Sequence, residues 1–454
     1  MNARKLRMLT LVLVLASLGL LALALPFSRN GRLHAQDARP NILLIITDDQ
    51  RYDTMDYMPL TKARIFDQGV VFTNAFVSTP LCCPSRSNIL TGMYSRHTGV
   101  HVNDDILTVT TFVEHLHDAG YTTALVGKYL NSYHGGPPPE FDYWVEGSDY
   151  VDPTLNVNGI PTKHTGYGTY ILRDYALTFT AQVTQAGNPF LLIFAPHAPH
   201  EPIIPAPGDE NLYPDLAPYR PPSHNEADVS DKPAWVQAQP LWGDAKIANV
   251  DETRRRQLQT LHAVGVSIDD LLNALQAQNR LDNTFILFMS DNGYLLGEHR
   301  IKGKNNYYEE SIRVPFAVRY PPLIDAPRVE DRVVANIDIA PTLYALAGIP
   351  DPPGVDGQSL VPLLQNADTW REDLLLEGWV IPFVGVHTED WVYVELPGDI
   401  PELYNLAADP YQLQNLSQDP TYADILEEMR YRLRRLTGEL VPTSVYLPTL
   451  LRNP

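Results

Sequence analysis

Four short apolar runs, each ended abruptly by polar residues, constrain the fold of this chain more than any other feature. The runs are rich in β-branched residues and almost uninterrupted in their apolar character, which predicts strands buried on both faces. Strands of this kind belong to a mainly parallel sheet with helices on both sides. The predicted strands cover residues 41–46, 121–126, 190–195 and 284–289.

Helical patterns separate the strands and complete the prediction of an α/β fold. The predicted helices cover residues 111–118, 251–277 and 338–346. The proline-rich stretch 196–240 indicates a long irregular loop. Near the C-terminus, the predicted short strands and final helix cover residues 377–380, 391–395 and 422–436. We therefore predict a large domain at 39–374 and a small antiparallel α+β subdomain at 375–454.

Residues 1–35 predict an export signal. Arg4, Lys5 and Arg7 precede an apolar run at 8–26, and small residues near Ala35 offer a cleavage site. We expect an exported protein that is secreted, periplasmic or held at the cell surface. An uncleaved anchor is the alternative, because the apolar run is long enough to cross a bilayer; only in that case is a membrane involved.

Charge and cysteine content narrow the classes of partner. With 34 Lys and Arg against 54 Asp and Glu, the formal net charge is -20, which argues against nucleic acid because phosphate binding needs a basic surface. A small anionic substrate is compatible with this net charge if Lys or Arg side chains line its binding site. The two cysteines, Cys82 and Cys83, are adjacent and cannot tie distant segments together, so they serve either packing or chemistry.

Polar residues cluster directly after the four apolar runs. Because ligands bind outside the carboxyl ends of parallel strands, we expect these residues to converge. They are Asp48, Asp49, Lys128, His197, His200, Asp291 and Asn292. Carboxylate and amide oxygens suit calcium or magnesium rather than zinc. Asp48-Asp49 alone, or Asp291-Asn292 alone, is also typical of turns and helix caps. The presence of both pairs at strand ends favours a metal site.

The cysteines precede a predicted helix. Pro84 suits the first helical turn and Gly92 suits the end, so Cys82 is predicted at or just before the N-terminus, where free N–H groups favour negative charge. Arg86 adds a fixed cation one turn later. A nucleophile at this position would face a site prepared for an anion. An unmodified thiolate remains an alternative nucleophile, although a hard oxygen nucleophile suits a calcium site better.

These residues together resemble the type I sulfatases of the alkaline phosphatase superfamily. Cys82-Cys83-Pro84-Ser85-Arg86 fits the Cys-x-Pro-x-Arg motif of that family, and Leu90-Thr91-Gly92 fits its continuation. Further matches are Asp48-Asp49-Gln50, Gly127-Lys128, Ser290-Asp291-Asn292-Gly293, Gly297-Glu298-His299, the segment 304–311 and Glu402-Leu403-Tyr404-Asn405-Leu406. Lys128-Tyr129-Leu130-Asn131 and Ala198-Pro199-His200 look most like N-acetylglucosamine-6-sulfatases. The resemblance covers about residues 39–420 and implies an alkaline-phosphatase-like mixed, mainly parallel sheet.

The resemblance implies a specific chemistry. A formylglycine-generating enzyme would oxidise Cys82 to formylglycine, whose hydrated form attacks sulfur, passes through a covalent sulfo-enzyme and then releases sulfate. The implied ligands of one Ca²⁺ per chain are Asp48, Asp49, Asp291, Asn292 and the residue at position 82. Four further residues are implied to be catalytic. Arg86 would steady the diol, and His200 would protonate the leaving group. Lys128 and Lys304 would bind sulfate oxygens. His299 would support the site from outside it or simply belong to a loop.

One departure concerns the base that releases sulfate. Many sulfatases have a histidine two residues after the first lysine, whereas this chain has Leu130 followed by Asn131. His97 and His101 are candidates, although a solvated loop histidine is the simpler interpretation of each. His197 is assigned to packing or loop bonding rather than to a direct role.

The expected activity is hydrolysis of a sulfate ester on a sulfated sugar or an aryl sulfate. A sulfated glycosaminoglycan containing glucosamine 6-sulfate is the leading substrate. One alternative is a phosphonate monoester or phosphodiester hydrolase of the same superfamily, which parallel assays with sulfate and phosphate esters distinguish. The other alternative is a catalytically silent protein that binds glycans.

Overall fold

The computed structural model describes residues 39–439, except for the side chains of residues 185 and 186. The predicted export signal at 1–35 and the end of the predicted subdomain, 440–454, lie outside the described residues. Within 39–439, no helix is both long enough and apolar enough to cross a bilayer. The division into domains at residue 374 stays a prediction.

The main sheet has ten strands, which are β1 (Asn41–Thr47), β2 (Val70–Phe72), β4 (Thr122–Gly127), β5 (Tyr143–Glu146), β6 (Thr154–Val157), β7 (Ile160–Lys163), β8 (Phe190–Ala195), β9 (Thr284–Ser290), β12 (Phe316–Arg319) and β13 (Arg328–Glu330). Their order across the sheet is β13-β2-β12-β9-β1-β8-β4-β5-β6-β7. The short strands β3 (Ala75–Phe76), β10 (Leu295–Leu296), β11 (Lys302–Gly303) and β14 (Val334–Ala335) form two small separate pairs, β3 with β14 and β10 with β11.

The four predicted strands are confirmed as the neighbouring central strands β9, β1, β8 and β4. They pair in parallel and are almost entirely buried. The sheet becomes mixed toward its margins, where β12 is antiparallel to β9 and β6 is antiparallel to β5. The carboxyl ends of the four parallel strands therefore lie along one edge, as a ligand site in this kind of sheet requires.

Helices cover both faces of the sheet. They are α1 (Pro59–Arg64), α2 (Cys82–Thr91), α3 (Ser95–Thr98), α4 (Phe112–Asp118), α5 (Gly168–Ala186), α6 (Ala234–Gln237), α7 (Asp244–Ala277), α8 (Glu309–Ile312), α9 (Ile339–Ala347), α10 (Val361–Leu364) and α11 (Ala423–Thr437). Ile42 and Leu44 of β1 pack with α2, α4 and α9, whereas Leu43 and Ile45 pack with α5 and α7. Alternate residues of one strand thus enter two cores, which explains its uninterrupted apolar run.

The predicted helix at 251–277 begins earlier, at Asp244. The first turns of α7 are largely exposed, so their apolar residues do not form the buried stripe from which a helix is predicted. The predicted strand at 377–380 is also displaced: the strand is Leu374–Gly378, and Trp379 and Val380 form the turn that follows it. The β-branched and aromatic content of that turn made it resemble a strand.

A second, four-stranded antiparallel sheet follows the main sheet. It consists of β15 (Leu374–Gly378), β16 (Phe383–His387), β17 (Trp391–Glu395) and β18 (Glu402–Asn405) in sequential order. Met429 and Leu433 of α11 pack against it in a third core, which also includes Tyr307 and Tyr308. The mixed, mainly parallel sheet between helices and the small antiparallel subdomain confirm the predicted fold class.

Gly127 joins β4 to the predicted site. Its φ is 122°, and a Cβ at this position would lie 2.0 Å from the carbonyl oxygen of Ala195 on β8. We expect Gly127→Ala to lower the free energy of unfolding by at least about 2 kcal/mol, because strain and a backbone clash act together. Gly136→Ala is the control, since nothing lies within 4 Å of that position. Denaturant unfolding of both variants measures the effect, and equal values would contradict it.

Candidate active site

The ends of β1 and β9 bring two predicted pairs of polar residues together. Thr47 and Ser290 are partners in the parallel ladder, so the residues that follow them are adjacent. The Asp49 backbone N–H donates to Asp291 Oδ1 at 3.2 Å, and Asn292 Nδ2 donates to Asp49 Oδ1 at 2.6 Å. Asp48, Asp49, Asp291 and Asn292 are all buried. The sheet register therefore creates a compact cluster of oxygen atoms.

Cys82 is the first residue of α2 and faces this oxygen cluster. Its Sγ lies 3.5 Å from Asp48 Oδ1 and 2.8 Å from Lys304 Nζ, and the residue is 1% exposed. Every residue of α2 is buried, which holds the helix N-terminus firmly at the edge of the sheet. Cys83 points elsewhere and packs in the core near Ser132. The structure thus gives the two adjacent cysteines different surroundings.

Three cations lie against the carboxylates. Arg86 Nε donates to Asp291 Oδ2 at 2.8 Å, and Lys128 Nζ donates to Asp48 Oδ2 at 2.6 Å. Lys304 Nζ donates to an oxygen of Asp49. These cations come from α2, from the end of β4 and from the loop after β11. Each buried charge is therefore paired, as stable burial of ions requires.

Burial and neighbouring charges shift the pKa values of the cluster residues in different directions. Burial opposes ionisation of Asp48, yet Lys128, His197 and Arg86 hold its pKa well below the usual value. Burial and the neighbouring charge of Asp48 raise the pKa of Asp291 despite Arg86. Burial and Asp48 also raise the pKa of the Cys82 thiol to about 12. The unmodified thiol is consequently protonated near neutral pH, which weakens the thiolate alternative.

The donor atoms fit a hard divalent cation. Single ligand atoms of Asp48, Asp49, Cys82 and His200 all lie within 4.8 Å of one another. The side-chain oxygen of Asn292 is buried and has no hydrogen-bond partner among residues 39–439. A buried acceptor without a partner is rare and needs an explanation, and a cation supplies one. The predominance of oxygen donors suits Ca²⁺, whereas the sulfur of Cys82 does not.

Two histidines after β8 reach the same cluster. His200 Nε2 lies 3.7 Å from Asp49 Oδ2, and the ring of His197 packs beside it with centroids 4.7 Å apart. His197 Nδ1 lies 3.3 Å from Asp48 Oδ2. The hydroxyl of Tyr150 donates to the backbone oxygen of His200 at 2.8 Å. His197 therefore packs against His200 and also contacts Asp48, a predicted metal ligand.

Comparison with known proteins identifies the family. Residues 40–349 match the sulfatase family, and residues 297–439 match the family described as N-sulphoglucosamine sulphohydrolase, C-terminal. The chain belongs to the sulfatase family. The resemblance inferred from the sequence motifs is thereby confirmed.

Relatives and a solved structure extend this identification. The sulfatase is 37% identical over 391 residues to a homologue of extracellular sulfatase Sulf-1 from Caenorhabditis elegans, in an alignment covering 77% of this chain and 54% of that relative. It thus spans about half of that relative. Identity to the human N-acetylglucosamine-6-sulfatase is 32%, with 89% and 86% of the two chains covered. A structure solved with its substrate D-glucosamine-2-N,6-O-disulfate superposes with a TM-score of 0.80 at 27% identity, covering 88% of this chain and 98% of the other.

Other histidines of the sulfatase are engaged elsewhere. His97 Nδ1 bonds to Asp356 at 2.8 Å, and His101 stacks on Trp379 rather than standing free in solvent. His299 is buried, bonds to Glu226 at 2.7 Å and stacks on Tyr308. Burial, together with Lys232, lowers the pKa of His299 to about 3, so this imidazole is neutral. The base for sulfate release stays unassigned, since Leu130 is apolar.

Sequence reasoning missed the buried ion pair between Arg51 and Glu298. Arg51 follows the aspartates after β1, and its buried guanidinium donates to Glu298 at 2.9 Å and to the backbone oxygen of Tyr294 at 2.7 Å. These bonds join the loop after β1 to Tyr294, which lies between β9 and β10, and to Glu298, which lies between β10 and β11. Glu298 had been matched to the family motif, but only the fold reveals a partner 247 positions away.

The Arg86–Asp291 pair gives a stability prediction. We expect Arg86→Met to lower the free energy of unfolding by about 3 kcal/mol or more, because it leaves a buried carboxylate unpaired. The raised pKa of Asp291 rises further in the variant, so the folded state binds a proton more tightly than the unfolded chain. The loss should therefore be full at neutral pH and shrink as the pH falls toward that raised pKa.

Denaturant titrations at pH 7.5 and 5 compare this variant with wild type. Arg256→Met is the control, since Arg256 forms an exposed pair with Glu252 and should change stability by less than about 1 kcal/mol. A loss in Arg86→Met that grows on acidification would contradict the assigned role of Asp291.

Proposed function

We propose that this sulfatase hydrolyses the sulfate ester of a sulfated glycosaminoglycan sugar, with Cys82 converted to formylglycine and with one Ca²⁺ as cofactor. The observation that carries the proposal is the position of Cys82. Its Sγ lies between the Asp48 carboxylate and the Lys304 ammonium group, at the N-terminus of a buried helix. A nucleophile there is surrounded by oxygen donors on one side and by cations on the other.

Conversion of Cys82 to formylglycine would replace a thiol that is a poor nucleophile because its pKa is raised. Hydrated formylglycine offers one hydroxyl that attacks sulfur and a second whose deprotonation expels sulfate and restores the aldehyde. The motif residues Cys82, Pro84 and Arg86 are buried in the fold. The formylglycine-generating enzyme would therefore have to act on the chain before this segment folds.

The cations provide the binding site for the sulfate group. Lys128 and Lys304 are buried, and their pKa values are raised because Asp48 and Asp49, respectively, offset the effect of burial. Both side chains thus keep their charge near the nucleophile. They would bind sulfate oxygens and stabilise charge that develops in the transition state. Arg86, held by Asp291 and by the backbone oxygen of Lys128, would orient residue 82.

The metal ligands in this proposal are Asp48, Asp49, Asp291 and Asn292, together with residue 82. Bound Ca²⁺ would act as a Lewis acid that favours the ionised nucleophile and screens the sulfate charge. The two lysines now lie on oxygens of Asp48 and Asp49. A dication at those oxygens would compete with the ammonium groups and favour their contact with sulfate instead.

His200 would protonate the departing sugar oxygen. It follows β8 on the exposed side of the cluster and is 29% exposed, so it can exchange protons with solvent while its ring faces Asp49. A positioned imidazole can act as a general acid when its ring nitrogen lies within hydrogen-bond reach of the departing oxygen. The hydrogen bond from Tyr150 to its backbone helps to fix its place.

The relatives support a sulfated glucosamine as the substrate. One is named N-acetylglucosamine-6-sulfatase, and a structural neighbour was solved with a glucosamine disulfate as its substrate. We propose glucosamine 6-sulfate within a glycosaminoglycan for this chain. An extracellular sulfatase homologue among the relatives also supports export.

The adjacent cysteines give a matched test of the nucleophile. We expect Cys82→Ala to abolish sulfate-ester hydrolysis and Cys83→Ala to retain it, because only Cys82 faces the cluster. The proteins are produced with a formylglycine-generating enzyme and assayed on glucosamine 6-sulfate and 4-nitrophenyl sulfate. Mass spectrometry of the peptide containing residue 82 should show a loss of about 18 Da relative to cysteine, whereas higher thiol oxidation adds mass.

Equal activity of the two variants would contradict the role of Cys82. A phosphodiester substrate is assayed in parallel, because the alternative hydrolase class would use the same nucleophile. Turnover of the phosphodiester more than about 100-fold faster than that of either sulfate ester would overturn the assignment of the reaction.

Calcium dependence is the second test. We expect chelation to abolish activity and added Ca²⁺ to restore it, with one ion bound per chain. Asn292→Ala should weaken Ca²⁺ binding at least about tenfold, since it removes a buried oxygen donor. Asn273→Ala on the exposed face of α7 is the control. Calorimetric titration measures affinity, and unchanged affinity in Asn292→Ala would exclude Asn292 as a ligand.

A further inference from the structure

Glu201 directly follows His200, and its backbone oxygen holds both histidines of the loop after β8. His200 Nδ1 donates to this oxygen, and His197 Nε2 donates to it at 3.2 Å. A carbonyl oxygen only accepts hydrogen bonds, so the proton on Nδ1 of His200 is engaged there. The other ring nitrogen, Nε2, lies 3.7 Å from Asp49 Oδ2. The backbone of Glu201 therefore sets which nitrogen of His200 faces the cluster.

The side chain of Glu201 ties this loop to two other segments of the site. Its Oε1 accepts from Lys302 Nζ at 3.1 Å and from the hydroxyl of Tyr294 at 3.4 Å. Lys302 lies on β11, two residues before Lys304. Tyr294 follows Asn292 by two positions. One carboxylate thus joins the loop of the proposed acid to the segments that carry a proposed sulfate-binding lysine and a proposed metal ligand.

Glu201 can be replaced without loss of the fold. Its side chain is 55% exposed and that of Lys302 is 27% exposed, and a pair of this kind contributes little stability. Burial opposes the ionisation of Glu201, yet Lys302, Tyr294 and His200 hold its pKa below the usual value. The carboxylate is therefore ionised at neutral pH and keeps its charged partner. Its contacts serve the placement of the loop more than the stability of the protein.

We propose that Glu201 is a positioning residue for His200, an inference that rests on the proposed function. Lys302 and Tyr294 hold its carboxylate, and its backbone oxygen holds the imidazole with Nε2 toward the departing oxygen. Proton transfer needs hydrogen-bond reach between these two atoms, so a small displacement of the ring slows departure of the alcohol. Glu201 acts through His200 and does not itself contact the substrate.

The test uses two esters that differ in their need for an acid. A sugar alkoxide must gain a proton as it leaves, whereas 4-nitrophenolate is stable as an anion near neutral pH. With formylglycine and Ca²⁺ in place, we expect Glu201→Ala to lower kcat/KM about tenfold for glucosamine 6-sulfate and less than about twofold for 4-nitrophenyl sulfate. Lys302→Met should show the same selectivity to a smaller degree. Glu201→Gln, which keeps an oxygen acceptor, should recover most of the loss.

Asp67→Ala is the matched control, because Asp67 forms an exposed pair with Lys62 at 2.9 Å. Its kcat/KM on both esters should equal that of wild type. A double-mutant cycle then asks whether Glu201 acts through His200. His200→Ala should itself lose more activity on the sugar ester than on the aryl ester. Addition of Glu201→Ala to His200→Ala should cause no further loss on either ester.

Three results overturn the positioning role while leaving the sulfatase assignment intact. They are unchanged activity of Glu201→Ala, an equal loss on both esters, and a further loss in the His200→Ala background. An equal loss on both esters in His200→Ala instead overturns the proposed acid, and the role of Glu201 with it. A converted wild type that cleaves neither ester overturns the proposed function as a whole.

Discussion

Neutralisation of buried charge is the constraint on which the rest of the site depends. Asp48, Asp49 and Asp291 are removed from solvent, and isolated carboxylates cannot remain ionised there. Arg86, Lys128 and Lys304 approach them from separate parts of the chain and keep each one paired. The same cations surround the sulfur of Cys82. One arrangement therefore stabilises the fold and also surrounds position 82 with positive charge.

The C-terminal sheet belongs to the architecture of this site. His387 Nε2 on β16 donates to Glu309 Oε1 at 2.8 Å, and Glu309 begins α8 close after Lys304 in the chain. On the other side, Glu377 joins β15 to the segment before α2. The small sheet is thus attached both to the segment before Cys82 and to the segment after Lys304.

The central strands were predictable because burial on both faces leaves an uninterrupted apolar run. The marginal strands were not predicted: β5, β6 and β7 are short and partly exposed, so their sequences resemble loops. The same reason applies to the first turns of α7. Trp379 was assigned to a strand because local propensity does not distinguish a turn from a strand of similar composition. Tertiary packing decides such cases.

Local sequence patterns were sufficient to predict the fold class, the family and the polar residues at the strand ends, because a parallel sheet brings the ends of its strands to one edge. They also distinguished Cys82 from Cys83 through the motif. The folded chain was needed to see which carboxylate each cation contacts, that burial and Asp48 raise the pKa of the Cys82 thiol, and that His101 stacks on Trp379. These properties depend on distances between residues far apart in the chain, and no local pattern contains them.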